Sequence, residues 1–324
     1  MIAVMIIPTG IGCAIGGHAG DATPAAKLLA AVCDTLIVHP NVVNAADLNE
    51  MPANALYVEG SMLDRFLAGE ISLRPVRSNG ILLVANDPIS NDTVNAAHAA
   101  YHSAGIDVTI LALTTPLTMK GYVRDGVATG EIRGAAELVE QVRGLPFDAL
   151  AIHTPVEVDA PAAERYMKAG GINPWGGVEA KLTRYVTRQI QRPAAHAPIT
   201  LNPDWDFVSQ GRVAAEMISV SNVFSVLKGL HRAPRIGPGL SWRDVDCLVS
   251  PWPCWGPPHA ACITNRIPVV FVRENRTVMP GMDESIENTI MVENYWEAAG
   301  YVAALKAGIA PRSVRAGGKG GDDA

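Results

Sequence analysis

The stretch Met1–Pro24, MIAVMIIPTGIGCAIGGHAGDATP, carries the strongest statement in the chain about its fold. An apolar run, Ile2–Ile7, stops at Pro8 and gives way to glycines at positions 10, 12, 16, 17 and 20. Thr23 and Pro24 then supply an N-cap and a first-turn proline, the residues that open a helix. Strand, glycine-rich turn and helix start is the arrangement that brings backbone N–H groups up to a negatively charged ligand. Glycine allows it because it takes positive φ at little cost and has no Cβ in the way. Gly12, Gly16, Gly17 and Gly20, with Asp21 beside them, are therefore expected to hold a substrate carboxylate or phosphate. Asp21 would repel such an anion unless it binds a cation or serves as a base. The competing reading of the loop is a tight turn needed for packing.

The glycine spacing argues against a nucleotide. Gly10-x-Gly12-x-x-x-Gly16 is one residue longer than the dinucleotide fingerprint, and the next apolar run ends in His39 where a ribose-binding acid belongs. No GxxxxGK[ST] phosphate loop is present. NAD and ATP are not expected as cofactors.

Short apolar runs alternate with helical segments along the rest of the chain. Thr35–Val38, Ala55–Val58, Gly80–Val84, Val108–Leu113, Leu150–Ile152, Val245–Ser250, Val269–Arg273 and Thr289–Val292 read as strands. Runs apolar throughout and spaced by helices predict an α/β fold, a mainly parallel Rossmann-like sheet with helices on both faces. Thr114–Glu131 reads as a hairpin or an excursion from the sheet, and Arg212–Leu230 as one long helix. A single elaborated domain and two lobes meeting at a cleft both fit. In the second case the lobes are 1–160 and 161–311, and 312–324 is a disordered tail rich in glycine and charge.

Bulk properties exclude several classes. The 324 residues carry a net charge of −6 with scattered Lys and Arg, so no basic stripe exists for nucleic acid. No run approaches the roughly 20 apolar residues of a membrane helix, so no membrane partner is expected. The N-terminal run lacks a basic flank and reads as a first strand rather than a signal peptide. Five cysteines without a CxxC fit reduced thiols in the cytoplasm. An apolar chain with only 18% charged residues also fits a homo-oligomer.

Chemistry-bearing residues cluster at the ends of the apolar runs. His39 (VHPN), His153 (IHTP) and His259 each follow such a run, at the sheet edge where ligands bind in open α/β folds. Three imidazoles converging there would act as general acid and base or hold a divalent metal. His98 and His102 form an HxxxH pair that reads as a solvated helix face. In WPCWGPPHAAC, Trp252–Cys262, the Cys254 thiol and His259 imidazole could pair as a nucleophile. Cys13 on the opening loop would make a second thiol, the arrangement of two-cysteine racemases. Glu274 closes the apolar run of PVVFVRENR, where a buried charge must be paired or functional. Lys181 and Arg184, following Glu179 on one helix, could clamp a carboxylate or phosphate across a cleft.

The segments Pro8–Gly12, Ile15–Gly17, Ala19–Asp21, Pro24, His39–Asn41, Asn54–Gly60 and Pro258–Met279 resemble a domain-of-unknown-function family of bacteria, cyanobacteria and chloroplast-bearing organisms. The resemblance covers nearly the whole chain and implies no activity, cofactor or catalytic residue. The residues themselves point to an enzyme acting on a small anionic metabolite by hydrolysis, elimination or proton transfer. A cofactor-independent two-cysteine isomerase and a non-catalytic ligand-binding protein are the alternatives.

Overall fold

The computed structural model describes residues 1–45, 48–199, 205–219, 222–281 and 286–314. Of the expected tail, 312–324, the first residues close a short 3-10 helix, Pro311–Val314, and the rest lies outside the described residues. Six strands form the first sheet: β1 (Ile2–Met5), β2 (Thr35–Val38), β5 (Ala55–Tyr57), β14 (Cys247–Pro251), β15 (Val269–Val272) and β16 (Thr289–Val292). Their order is β16-β15-β14-β1-β2-β5, and every pairing is parallel. The chain runs outward from β1 through β2 to β5, then returns to the other side of β1 with β14. That reversal beside β1 is the switch point at which open α/β sheets bind ligands.

Side-chain alternation along β1 divides the core. Ala3 and Met5 face a cluster that includes Leu29 of α1 (Thr23–Val32) and Val302 of α11 (Tyr295–Lys306). Val4 and Ile6 face the opposite cluster, with Phe66 of α3 (Gly60–Leu67) and Cys262 of α10 (Pro257–Thr264). A strand buried on both faces must be apolar at every position, which is why these segments read as unbroken hydrophobic runs.

The second sheet draws on the middle of the chain. Strands β7 (Ile81–Asn86), β8 (Val108–Leu113), β11 (Ala149–Val158) and β12 (Ala194–Ile199) are parallel neighbours. The hairpin β9 (Thr118–Arg124) and β10 (Val127–Arg133) joins the far half of β11. The helices around this sheet are α4 (Asn91–Ala104), α5 (Ala135–Val142), α6 (Ala160–Ala169), α7 (Gly176–Ile190), α8 (Ala214–Met217) and α9 (Asn222–His231). The short helix α2 (Pro40–Val43) and the ribbons β3 (Asn44–Ala45) with β4 (Leu48–Asn49) and β6 (Leu73–Arg74) with β13 (Arg235–Ile236) are the remaining α-helix and strands among the described residues. Both chain ends thus build the first sheet, and a cut near residue 160 falls inside the second, between β11 and its neighbour β12. The first core cluster crosses between the sheets, taking in Leu83 of β7, Ala197 of β12 and Leu227 of α9.

The segment 212–230 is not one helix. Ile218 is β-branched and Ser219 competes for the helical backbone, so both are poor helix formers, and α8 stops before them while α9 begins at Asn222. Among the described residues no helix is long and apolar enough to cross a membrane.

The two sheets are joined by backbone contact. A Cβ on Gly176 would lie 1.9 Å from the Thr9 hydroxyl, and one on Gly177 2.2 Å from the Ala128 carbonyl oxygen. Gly10, at φ +77°, accepts a hydrogen bond from Ala128 N at 2.9 Å. Gly→Ala inside a helix ordinarily adds stability. Gly177→Ala should instead lose about 1–3 kcal/mol, because the clash is with backbone that cannot swing away. Urea denaturation of the two proteins checks this.

Candidate functional site

A cavity of about 280 Å³ lies where the carboxyl edge of the first sheet meets α7 and the edge strand β12. Ile7, Pro8 and Thr9 leave β1 into it, and His39 follows β2. Glu59 follows β5, and Glu179 and His196 come from α7 and β12. Asn173 and Glu216 close another side. Three carboxyl groups and two imidazoles therefore line it, with no Lys or Arg among the described residues.

Each carboxyl is held differently. Glu59 is the N-cap of α3. The Ser61 and Met62 backbone N–H groups face its Oε2 at 2.9 and 3.1 Å. The hydroxyls of Ser61, Thr183 and Thr187 also face its oxygens, at 2.7, 3.2 and 3.1 Å. Since the threonines belong to α7, Glu59 stitches the two halves together. Glu179 Oε1 lies 2.8 Å from His196 Nδ1, and His196 Nε2 lies 3.1 Å from the Thr154 hydroxyl. Glu216 accepts from the Tyr166 hydroxyl at 2.7 Å, Asn173 Nδ2 at 3.0 Å and Ala19 N at 3.3 Å. Burial nevertheless pushes the Glu216 carboxyl up to about 7, and the charge of Glu179 adds to the rise. His39 is driven the other way: burial lowers its imidazole, against the opposing pull of the Ile7 carbonyl and the Glu59 charge. Its Nε2 lies 3.6 Å from where a Cβ on Gly60 would stand, on the cavity wall.

Of the expected site residues, only His39 lines the cavity. His153 does not stand past a strand end. β11 continues to Val158 because its pairing passes from β7 to β9, leaving His153 in mid-strand opposite Ala85 and Ala197. It is buried, with Nδ1 2.8 Å from the Thr93 hydroxyl, and burial lowers it to about 4. His259 sits in α10, its Nε2 2.8 Å from the Ser250 hydroxyl, its ring stacked between Trp255 and Phe271. Burial lowers it to about 4 as well. Among the described residues no three His, Cys, Asp or Glu side chains are placed to hold a metal ion, so His39, His153 and His259 do not form a metal site.

The glycine loop is bound up in packing. Its N–H groups at Ala14, Ile15, His18, Ala19 and Gly20 donate to Arg276 O, Asn275 Oδ1, Asp21 Oδ1, Glu216 Oε2 and Asn41 O. Gly12, Gly16, Gly17, Gly20 and Asp21 do not line the cavity, and Asp21 pairs with Arg212 at 3.0 Å. A Cβ on Gly16 would lie 2.6 Å from Ile7, and one on Gly17 2.2 Å from Cys13 O. Lys181 donates to the Thr129 hydroxyl and Gly130 carbonyl of β10 at 2.6 and 3.2 Å. Arg184 is exposed and faces Asp64 of α3 rather than the cavity. Glu274 is exposed beyond β15, where water solvates its charge. His98 and His102 are exposed on α4, as the sequence indicates.

Cys254 and Cys13 are neighbours in the buried loops after β14 and β1, and the thiolate charge of Cys254 would raise Cys13. Burial pushes Cys254 up to about 11 and Cys13 further. Both stay as thiols at neutral pH, unsuited to a nucleophile or an acid/base pair.

Sequence reasoning missed Glu59, Glu179, His196 and Glu216 as cavity groups. Glu59 stands just past β5 as His39 stands past β2, so the strand-end rule that finds one finds the other. Glu216 gives no such sign, because α8 reads as part of a longer helix.

Residues 2–315 match the family described as "Protein of unknown function (DUF3326)". An uncharacterised lipoprotein of Synechococcus sp. is 34% identical over 339 residues, covering 98% of this chain and 94% of that protein. No solved structure matches the chain.

Two measurements probe these assignments. In the native protein at pH 7.5, iodoacetamide should leave all five buried cysteines unmodified, and after unfolding it should label all five by intact mass. The folded state of Glu216 binds its proton more tightly than the unfolded chain, so it contributes stability below about pH 4.5 that is lost as pH rises through about 7. Between pH 5 and pH 8, urea denaturation of Glu216→Gln should therefore shift in favour of the variant relative to the native protein.

Proposed function

The chain belongs to the DUF3326 family, whose description assigns no activity, and we propose that it is an enzyme that moves protons on a small polar substrate held between the two sheets. The observation that carries the reading is a pair of groups in one cavity shifted toward each other from opposite sides. His39 is lowered and the Glu216 carboxyl is raised to about 7. Such pairs divide the roles of base and acid near neutral pH. His39, neutral and with Nε2 on the wall, takes a proton from the substrate. Glu216 in its protonated form gives one to the developing anion or leaving group. Proton-transfer isomerisation and elimination use the pair directly, and hydrolysis uses it with water as the nucleophile.

The lining also bears on the substrate. A carboxylate or phosphate would meet Glu59, Glu179 and Glu216 with no cation to receive it among the described lining residues. A molecule offering hydroxyl or amine donors suits these acceptors instead, and the cavity volume limits it to a small metabolite. Five free, buried cysteines fit a reducing cytoplasm. The relative's name, a lipoprotein, suggests an anchored location for that protein, and cell fractionation of this one decides between the two.

The test is turnover in D2O. The purified protein is incubated with the small-molecule fraction of a bacterial extract, and mass spectrometry follows deuterium incorporation and product formation. The native protein should convert or label a compound that His39→Asn and Glu216→Gln leave untouched by at least about 100-fold. For that compound kcat/KM should fall below the lowered His39 pKa and again above about 7, as the base gains and the acid loses its proton. A compound that shifts the melting temperature but is never labelled or turned over would make this a binding protein instead.

A further inference from the structure

Glu216 does not end the hydrogen-bond chain that begins in the cavity. Its Oε2 faces the Tyr166 hydroxyl at 2.7 Å, and that hydroxyl lies 2.7 Å from His18 Nδ1. His18 and Tyr166 are both buried. Tyr166 is braced edge-on by Trp175, with ring centroids 5.7 Å apart. At the far end, a Cβ on Gly170 would lie only 3.3 Å from His18 Nε2. Gly170 and Gly171 both take positive φ, +74° and +104°, and Gly171 is exposed. One end of the chain thus lines the cavity and the other lies beneath a bare glycine turn at the surface.

We propose that His18, Tyr166 and Glu216 form a proton relay between solvent at the Gly170–Gly171 turn and the cavity, and that it returns a proton to Glu216 after each turnover. The proposal rests on the assignment of Glu216 as the acid. Donor and acceptor capacities dictate how the relay works. Ala19 N and Asn173 Nδ2 are donors to Glu216, because Asn173 Oδ1 already accepts from Trp175 N and Gly176 N. Of the three partners, only the Tyr166 oxygen can accept a proton from Glu216. When Glu216 is ionised, Tyr166 donates to it and His18 donates from Nδ1. When Glu216 is protonated, it donates to Tyr166, Tyr166 donates to His18 Nδ1, and His18 carries its proton on Nε2. Conversion of the first state to the second takes one proton from solvent at Nε2. The Nδ1 proton passes to Tyr166, and the Tyr166 proton passes to Glu216, so three N–H or O–H bonds form and two break while one proton enters. The ionisation of Glu216 therefore sets the tautomer of His18.

The charges that face the relay are few. Asp21, whose Oδ1 accepts from His18 N, favours a proton on the imidazole; Arg212, paired to Asp21, opposes it. On the cavity side the charge of Glu179 favours the neutral form of Glu216. Burial keeps His18 below its usual value, so its cationic form is an intermediate rather than a resting state. The Tyr166 hydroxyl stays protonated, raised by burial and by Glu216, and exchanges its proton without becoming an anion.

The full chain, labelled with 15N-histidine and 13C-glutamate, tests this without a substrate. Long-range 15N–1H spectra report which His18 nitrogen bears the proton, and the Glu216 carboxyl carbon reports its ionisation, across pH 5 to 9. The relay requires the His18 tautomer to change from Nε2–H to Nδ1–H with the same midpoint as Glu216. In Tyr166→Phe the His18 tautomer should lose that dependence, and the Glu216 midpoint should move up, because the lost hydroxyl favours the ionised form. A Glu216 that titrates near neutrality beside a His18 tautomer that never changes overturns the relay and leaves the acid intact. A Glu216 that stays ionised from pH 5 upward overturns the acid assignment, and the relay with it. Should the phenylalanine variant not fold, the native titration alone decides.

Discussion

Close packing that leaves no room for a Cβ at Gly10, Gly176 and Gly177 is the constraint on which the rest depends. The loop leaving β1, the start of α7 and the strand β10 come together at distances that no Cβ permits, with Gly176 against Thr9 and Gly177 against the Ala128 carbonyl. This contact sets α7 against the carboxyl edge of the first sheet. Everything on α7 that faces the cavity, Glu179 and Thr183 included, takes its position from it. Asn173 continues the same arrangement. Its side-chain oxygen accepts from Trp175 N and Gly176 N where the chain enters α7, and its amide nitrogen holds Glu216. One short segment thus couples the helix docking to the orientation of a titratable group.

Glu59 and Glu216 show how differently one fold can hold the same side chain. Glu59 sits at the start of α3, where helix N–H groups and three hydroxyls face its oxygens. An N-cap position, with the positive end of the helix dipole, stabilises negative charge. Glu216 is enclosed with three donors around it, but burial outweighs them and the neutral form competes near pH 7. Of its three partners, only Tyr166 can reverse its role. Glu59 is thus locked by two helices at once, whereas the hydroxyl of Tyr166 links Glu216 onward to His18.

The layered fold was legible because parallel strands buried on both faces leave an unmistakable pattern. Ile2–Met5, Thr35–Val38 and Val269–Val272 are apolar at almost every position and became strands as expected. The way the chain divides between two sheets was not legible, since nothing local in Cys247–Pro251 says that its neighbour is β1, more than 240 residues away. The glycine loop was read for its capacity to approach an anion. The same lack of Cβ serves approach to the protein's own backbone, and sequence cannot distinguish the two. Nor can it foresee that β11 continues beyond Ile152, because that extension depends on the hairpin β9–β10 reaching its far half. His153 was placed at an edge for want of this one pairing.

His39 and His259 make the remaining point. Burial drives both imidazoles to the neutral form. His259 lies between two aromatic rings with Nε2 on the Ser250 hydroxyl, so it is enclosed by the core of its own sheet. His39 leaves β2 into the cavity that α7 and β12 also line, and its Nε2 lies beside Gly60 of the same lining. Strand-end position brings a residue to the edge of a sheet, and what packs against that edge decides whether the residue faces a ligand or the core. For this chain the deciding element is α7, held by glycine contacts far from β2 in sequence. Placing His39 in the cavity from sequence therefore requires the docking of α7 as well as the end of the strand.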